Sequence, residues 1–204
     1  MNITAELSPL FEYDRTVRLF HPVFCGIDEA GRGPLAGDVY AAAVILDNDT
    51  VIEGLNDSKK LTEKKREELF DEIINKAKTF CIATASVEEI EEINILNAAL
   101  LAMKRAVDGL DISPEYALVD GNKFPPLDIE GETVVKGDAT SASIAAASIL
   151  AKVSRDRFMY EMDKKYPEYD FAKHKGYGTK LHYEKLREYG PCEIHRMTFL
   201  KKMH

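Results

Sequence analysis

Apolar residues come in two patterns along this chain, short unbroken runs and longer stretches with a helical period. Their alternation sets out a mixed α/β protein. Val23–Asp28 and Val39–Leu46 are runs of strand length. The loop between them holds Gly31, Gly33, Pro34 and Gly37, a composition that returns the chain as a hairpin-like pair. Over Leu61–Lys78 the period changes: Leu69, Ile73 and Ala77 share one helical face, with Thr62 placed to cap the N-terminus. Phe80–Ser86 is a third strand. Ser86 and Glu89 then form a capping box opening a helix in which Ile93, Leu96, Leu100, Met103 and Val107 recur at alternating three- and four-residue steps. Glu115–Asp120 and Glu132–Lys136 are the later strands. Ala139–Tyr166 is a long Ala/Ser-rich helix ended by Pro167, and Thr179–Tyr189 is a last helix stopped by Gly190-Pro191. The expected architecture is a mixed β-sheet flanked by helices, in one domain over 1–204 whose residues 167–204 form a helical C-terminal region.

Three of these strands run straight into acids: Ile27-Asp28-Glu29, Val119-Asp120-Gly121 and Val135-Lys136-Gly137-Asp138. Functional groups gather at strand ends in α/β sheets, so carboxylates distant in sequence can meet in space. Side chains alternate along a strand, and for Asp28 and Glu29 to face one site the strand must end or twist at Glu29. Each acid also has a plain structural explanation. Asp28 suits bonding to loop amides, Asp120-Gly121 is a common turn, and Asp138 is a good N-cap for the long helix, a role compatible with metal ligation. The set of four, with no Cys/His cluster beside it, is all-oxygen and suits Mg²⁺ or Mn²⁺ over zinc. Two such cations about 3.5–4 Å apart orient a water and stabilise a leaving oxygen in phosphoryl transfer.

Composition changes this picture little. The chain has 204 residues, 45% hydrophobic and 30% charged, ordinary for a globular protein. It has no run long enough to span a bilayer and no basic leader, so neither membrane insertion nor secretion is expected, and the cytoplasm is the expected location. Cys25, Cys81 and Cys192 are sparse and odd in number, which fits reduced thiols. Charge adds more. The net charge of −8 conceals a split: residues 150–204 carry a balance of +5 and residues 1–149 one of −13. The basic quarter is either a localised anion-binding face or a solvated helical surface.

Four short segments offer contacts to an anion. Gly31-Arg32-Gly33 exposes backbone amides beside a guanidinium. Asp57-Ser58-Lys59-Lys60 precedes a helix and is either a phosphate contact or a solvated helix start. Tyr177, between two glycines in His174-Lys-Gly-Tyr-Gly-Thr179, is presented either to stack on a base or sugar or to pack its ring on the core edge. His195-Arg196 either touches phosphate or caps the C-terminal segment.

Taken together, these segments resemble ribonuclease HII, the type 2 branch of the ribonuclease H enzymes. Seven blocks occur in the family's order. They are Gly26-Ile-Asp-Glu-Ala-Gly-Arg-Gly-Pro34, Asp57-Ser-Lys-Lys-Leu61, Asn94-Ile-Leu-Asn-Ala98, Val119-Asp-Gly-Asn122, Gly137-Asp138, Ser143 through Asp156, and His174 through Thr179. The resemblance implies a ribonuclease H-like core with a helical C-terminal region. It implies an endonuclease that cuts the RNA strand of RNA–DNA hybrids, and 5′ of a single ribonucleotide embedded in duplex DNA, leaving 3′-hydroxyl and 5′-phosphate ends. By matching position, Asp28, Glu29, Asp120 and Asp138 are the metal-binding acids, Gly31-Arg32-Gly33 senses the 2′-hydroxyl, and Tyr177 packs at the deoxyribose beyond the scissile phosphate. Ser58 and Lys59 complete the expected substrate contacts. The expected reaction is in-line attack of a metal-activated water, with Asp28 bridging two divalent cations. Asp156 is expected to be structural, paired with Arg155 or Arg157. His195-Arg-Met-Thr-Phe199 keeps the family's hydroxyl as Thr198. The two dozen residues before the first strand are too few for the extra N-terminal domain of ribonuclease HIII, no longer C-terminal appendage is expected, and a monomer is the default.

Overall fold

The computed structural model describes residues 8–201. In chain order these form α1 (Pro9–Arg18), β1 (Phe24–Ala30), β2 (Val39–Ile45), α2 (Glu63–Lys76), β3 (Thr79–Ala85), α3 (Val87–Asp108), β4 (Tyr116–Asp120) and β5 (Glu130–Val134). Then follow α4 (Ala142–Lys165), α5 (Phe171–His174), α6 (Lys180–Tyr189) and α7 (Met197–Leu200). The five strands make one mixed sheet in the order β3-β2-β1-β4-β5. β2 runs antiparallel to both β1 and β3, whereas β4 is parallel to β1 and β5 parallel to β4. The hairpin-like return between the first two strands is as expected, with Gly26 opposite Val44 and Ala30 opposite Tyr40.

Alternation in β2 separates two apolar layers. Ala42 and Val44 meet α2 and α4, while Ala41, Ala43 and Ile45 meet α3. The alanine richness of α4 now has a cause. Ala145, Ala146, Ala147 and Ala151 are fully buried, and small side chains let the helix lie close on the sheet. The approach is closest at Gly26, where a β-carbon would stand 2.2 Å from the Ser143 carbonyl carbon.

Four expectations about the elements are corrected. The helix from the capping box, which forms as expected at Ser86 and Glu89, is broken at Asn94 (φ 68°, ψ 162°). The Asn94 side chain accepts from the Leu96 and Asn97 amides and so starts a second helical segment. The buried face beyond it is made by Ala98, Ala102, Met103, Ala106 and Val107, with Leu96 and Leu100 half-buried. The long helix begins at Ala142 with Ser141 as its N-cap, because Gly137–Ala139 forms a separate 3-10 turn holding Asp138. The last strand lies two residues earlier than expected, at Glu130–Val134. Helix α1, which the periodicity does not announce, packs Phe11 beside α2 and α4. It also buries Asp14, which accepts from the Ser141 hydroxyl at 2.6 Å and from the Ser143 amide and hydroxyl at 2.9 and 2.7 Å. An acid from one helix thereby caps the start of another.

Candidate active site

The register of the parallel pair brings the first acids together. Ile27 pairs with Val119, so Asp28 and Asp120 lie level on adjacent strands. Asp120 Oδ1 then accepts from the Gly137 amide at 2.7 Å, which ties the strand end to the turn carrying Asp138. Of the two expected alternatives, β1 does not end at Glu29 but stays paired to Ala30. Asp28 therefore faces α4 and Ser148, and Glu29 faces the α3 side with Arg32 at 3.3 Å. They still share one opening. Asp28, Glu29, Gly31, Arg32, Gly33 and Tyr177 line a cleft of about 220 Å³, together with Ser58, Lys59, Ser148 and Lys152.

Electrostatically the site holds more negative charge than it neutralises. Burial, then the charges of Glu29 and Asp120, push the Asp28 carboxyl well above the usual range. Burial raises Glu29 also, with Arg32 holding it back and Asp120 adding to the rise. Asp138 is pushed up to about 6 by burial and by Asp120 and Asp57. Lys59 is the local counter-charge, 3.9 Å from Asp138 Oδ2. Burial works against its ammonium, but Asp28, Asp138, Asp57 and Asp120 outweigh it and raise its pKa. Among the described residues no three such side chains already converge as a finished ligand cage. The donor set nonetheless fits a hard dication: four carboxylates, mutually repelling, all oxygen.

The remaining expected site residues fall at the same opening. Tyr177 is 41% exposed, with the Arg155 guanidinium 5.8 Å from its ring centre, and a β-carbon on Gly33 would touch its ring at 3.7 Å. Ser58 lines the cleft but is buried, its hydroxyl 2.8 Å from that of Ser148. Ser148 and Lys152 were missed in the sequence. Their four-residue spacing, continued by Asp156, marks one face of α4 and was the available signal. Asp156 pairs with Lys152 at 2.6 Å and Arg66 at 3.9 Å, not with its neighbours in sequence. Arg157 instead reaches Glu67 and covers the Phe70 ring. Arg196 touches no surface. It is fully buried and donates to backbone carbonyls of residues 31–37. The basic C-terminal quarter is largely self-paired: Lys164, Lys165, Lys173, Lys180 and Lys185 each meet a carboxylate. It is therefore mostly a solvated, salt-bridged surface.

Three buried histidines hold the Tyr177 segment, and their bonds assign neutral tautomers. His182 Nδ1 donates to the Tyr177 carbonyl at 3.0 Å, leaving Nε2 to accept from His195 Nε2, also at 3.0 Å. His195 Nδ1 then accepts from the Cys192 amide at 2.9 Å. His174 accepts from the Gly176 amide and donates to the Tyr169 carbonyl. Burial lowers His182 and His195 to about 4. In the unfolded chain each protonates near pH 6.5. Their contribution to stability is thus complete above that pH and is lost as pH falls toward 4, by about 1.4 kcal/mol per pH unit for each proton taken up only on unfolding. Urea titrations at pH 7.5 and 5.0 test this: the loss should be smaller in His182→Asn. An equal loss in that variant would remove His182 from the account.

Comparison with known proteins supplies the lineage. The family model described as ribonuclease HII matches residues 25–202. The chain belongs to the ribonuclease HII family. Members of this family are endoribonucleases, hydrolases that cut within a strand. A ribonuclease HII from Caldicellulosiruptor bescii is 59% identical over 179 residues, covering 88% of this chain and 87% of the relative. Among solved structures, ribonuclease H2 from Pyrococcus horikoshii OT3 superposes with a TM-score of 0.72 at 28% identity, over 86% of this chain and 92% of that one. Bst-RNase HIII in complex with Mn²⁺ shares the fold at a TM-score of 0.64 and 17% identity, over 82% of this chain and 63% of that one. The ribonuclease H-like fold expected for the family is therefore the fold of this chain. No helix among the described residues is long and apolar enough to cross a membrane.

Proposed function

We propose that this chain cuts the RNA strand of RNA–DNA hybrids, and cuts on the 5′ side of a single ribonucleotide in duplex DNA, leaving 3′-hydroxyl and 5′-phosphate ends. The observation that carries the proposal is the cleft that Asp28 and Glu29 share with the Gly31–Gly33 loop and Tyr177, with Asp120 close enough to act on the charge of Asp28 and of Asp138. Acids that repel one another in a half-closed cleft are stabilised by bound cations, and this donor set suits Mg²⁺ or Mn²⁺. Two such cations supply charge stabilisation for the phosphate and a nucleophilic water at neutral pH. Asp28, Glu29, Asp120 and Asp138 would hold them, with Asp28 lying between Glu29 and Asp120. Lys59, on an exposed stem, moves from Asp138 to a phosphate oxygen when substrate arrives. Amides of the Gly31–Gly33 loop face the sugar of the ribonucleotide, whose 2′-hydroxyl separates RNA from DNA. Tyr177 packs its ring against the next sugar. The catalytic contribution is positioning and preorganised charge.

One assay tests the proposal. The protein is incubated in Mg²⁺ with a DNA duplex containing one ribonucleotide, with a continuous hybrid and with an all-DNA duplex, each with and without EDTA. The first two are cut and the third is not, and EDTA abolishes cutting. Cutting of all three makes the chain a nuclease indifferent to the sugar, and binding without cutting makes it a hybrid-binding module. Either outcome overturns the proposal.

A further inference from the structure

Arg196 is fully buried, and all five of its guanidinium hydrogen bonds go to carbonyls of one short loop. Nη2 reaches Gly31 O at 2.7 Å and Gly37 O at 2.6 Å, Nη1 reaches Pro34 O at 2.8 Å and Arg32 O at 3.2 Å, and Nε adds Gly37 O at 2.9 Å. Its own amide donates to Leu35 O at 2.8 Å. We propose that Arg196 is a positioning residue for sugar recognition: it turns the amides of Arg32 and Gly33 into the cleft and keeps them there. In a trans peptide the carbonyl and the following N–H point in opposite directions. Drawing the Gly31 and Arg32 carbonyls onto a buried guanidinium therefore directs the Arg32 and Gly33 amides outward, and both residues are exposed and line the cleft.

The surroundings make this more than loop packing. Gly31 has φ +101°, and Arg155 Nε stands 2.2 Å from where its β-carbon would be, so the loop is held from a second side. Arg155 binds the carbonyls of Ala36 and Lys175, each at 3.0 Å, and so joins the loop to the Tyr177 segment. A buried cation carries a desolvation cost that apolar packing would avoid. Five hydrogen bonds joining four carbonyls to one planar donor set is a geometry that only a guanidinium satisfies, since an ammonium has three donors on a flexible stem.

The inference rests on the sugar-reading role proposed above, and its test separates the two. Affinities are measured in Ca²⁺, to limit turnover, for a duplex with one ribonucleotide and for the matching all-DNA duplex. Wild type prefers the first. Arg196→Lys should lose about tenfold of that preference, the effect of misdirected hydrogen-bond donors, while its affinity for all-DNA duplex stays unchanged because Lys59, the proposed phosphate contact, is untouched. A preference kept in a folded Arg196→Lys, or an equal loss on both duplexes, overturns the role. Should that variant not fold, amide resonances decide in the wild-type protein. Those of Arg32 and Gly33 should shift with the ribonucleotide duplex and not with all-DNA, and identical shifts with both overturn it. A wild type with no preference between the duplexes removes the sugar-reading role itself, and this inference with it.

Discussion

Asp120→Asn should keep the fold and lose cleavage by about 10³-fold or more, the scale on which preorganised charge acts at a phosphate. The substitution isolates charge from shape. An asparagine oxygen can still accept from the Gly137 amide, a bond of 2.7 Å in the native chain, so the turn carrying Asp138 stays tied to β4. What disappears is one negative charge that raises Asp28, Glu29 and Asp138. Relief of that repulsion predicts an unchanged or higher melting temperature beside the lost activity. Single-turnover cleavage of a ribonucleotide-containing duplex in Mg²⁺, with circular dichroism melting, checks both. A wild-type rate would take Asp120 out of the metal site.

Gly26→Ala should be the most damaging single methyl group in the chain. The new carbon would lie 2.2 Å from the Ser143 carbonyl carbon, 2.3 Å from the Ile144 nitrogen and 2.6 Å from the Ser143 oxygen, all of them backbone. No rotamer relieves such a contact, so α4 must lift from β1. Overpacking of this kind costs about 3 kcal/mol or more. In a chain of this length that lowers the melting temperature by about 6–12 °C. Because α4 carries Ser148 and Lys152 while β1 carries Asp28, activity should fall in the fraction that stays folded. Thermal and urea denaturation measure the first effect, and the rate per folded molecule the second. A melting temperature within a degree of wild type would refute the close-packing account.

The strands and most helices were legible because their burial patterns are strongly periodic or unbroken. The capping box at Ser86 and Glu89 is a local signature and needs no tertiary information. Helix α1 was not legible, since only Phe11 and Asp14 of its ten residues are buried and Asp14 does not look like a core residue. The break at Asn94 was hidden by an apolar spacing that continues across it. Asp138 looked like the cap of α4, and Ser141, three residues on, does that work while Asp138 turns toward Asp120. At the site, the acids stood out because carboxylates at strand ends need a stated purpose. Arg196 did not, because its partners are carbonyls, which every residue has, and their convergence exists only in three dimensions.

The hydrogen bonds from Arg196 to Gly31 and Gly37 join positions 165 and 159 residues apart. A chain emerging from the ribosome acquires β1, β4 and all four acids long before residue 196 is made. The loop beside them is fastened only when the final segment docks, through Arg196, the Ile194 carbonyl and the bridge between Ala36 and His195. Closing so large a span is entropically slow. The growing polypeptide thus has all four acids before the Gly31–Gly37 loop is fastened, and on the sugar-reading role proposed above selectivity would follow the acids rather than accompany them.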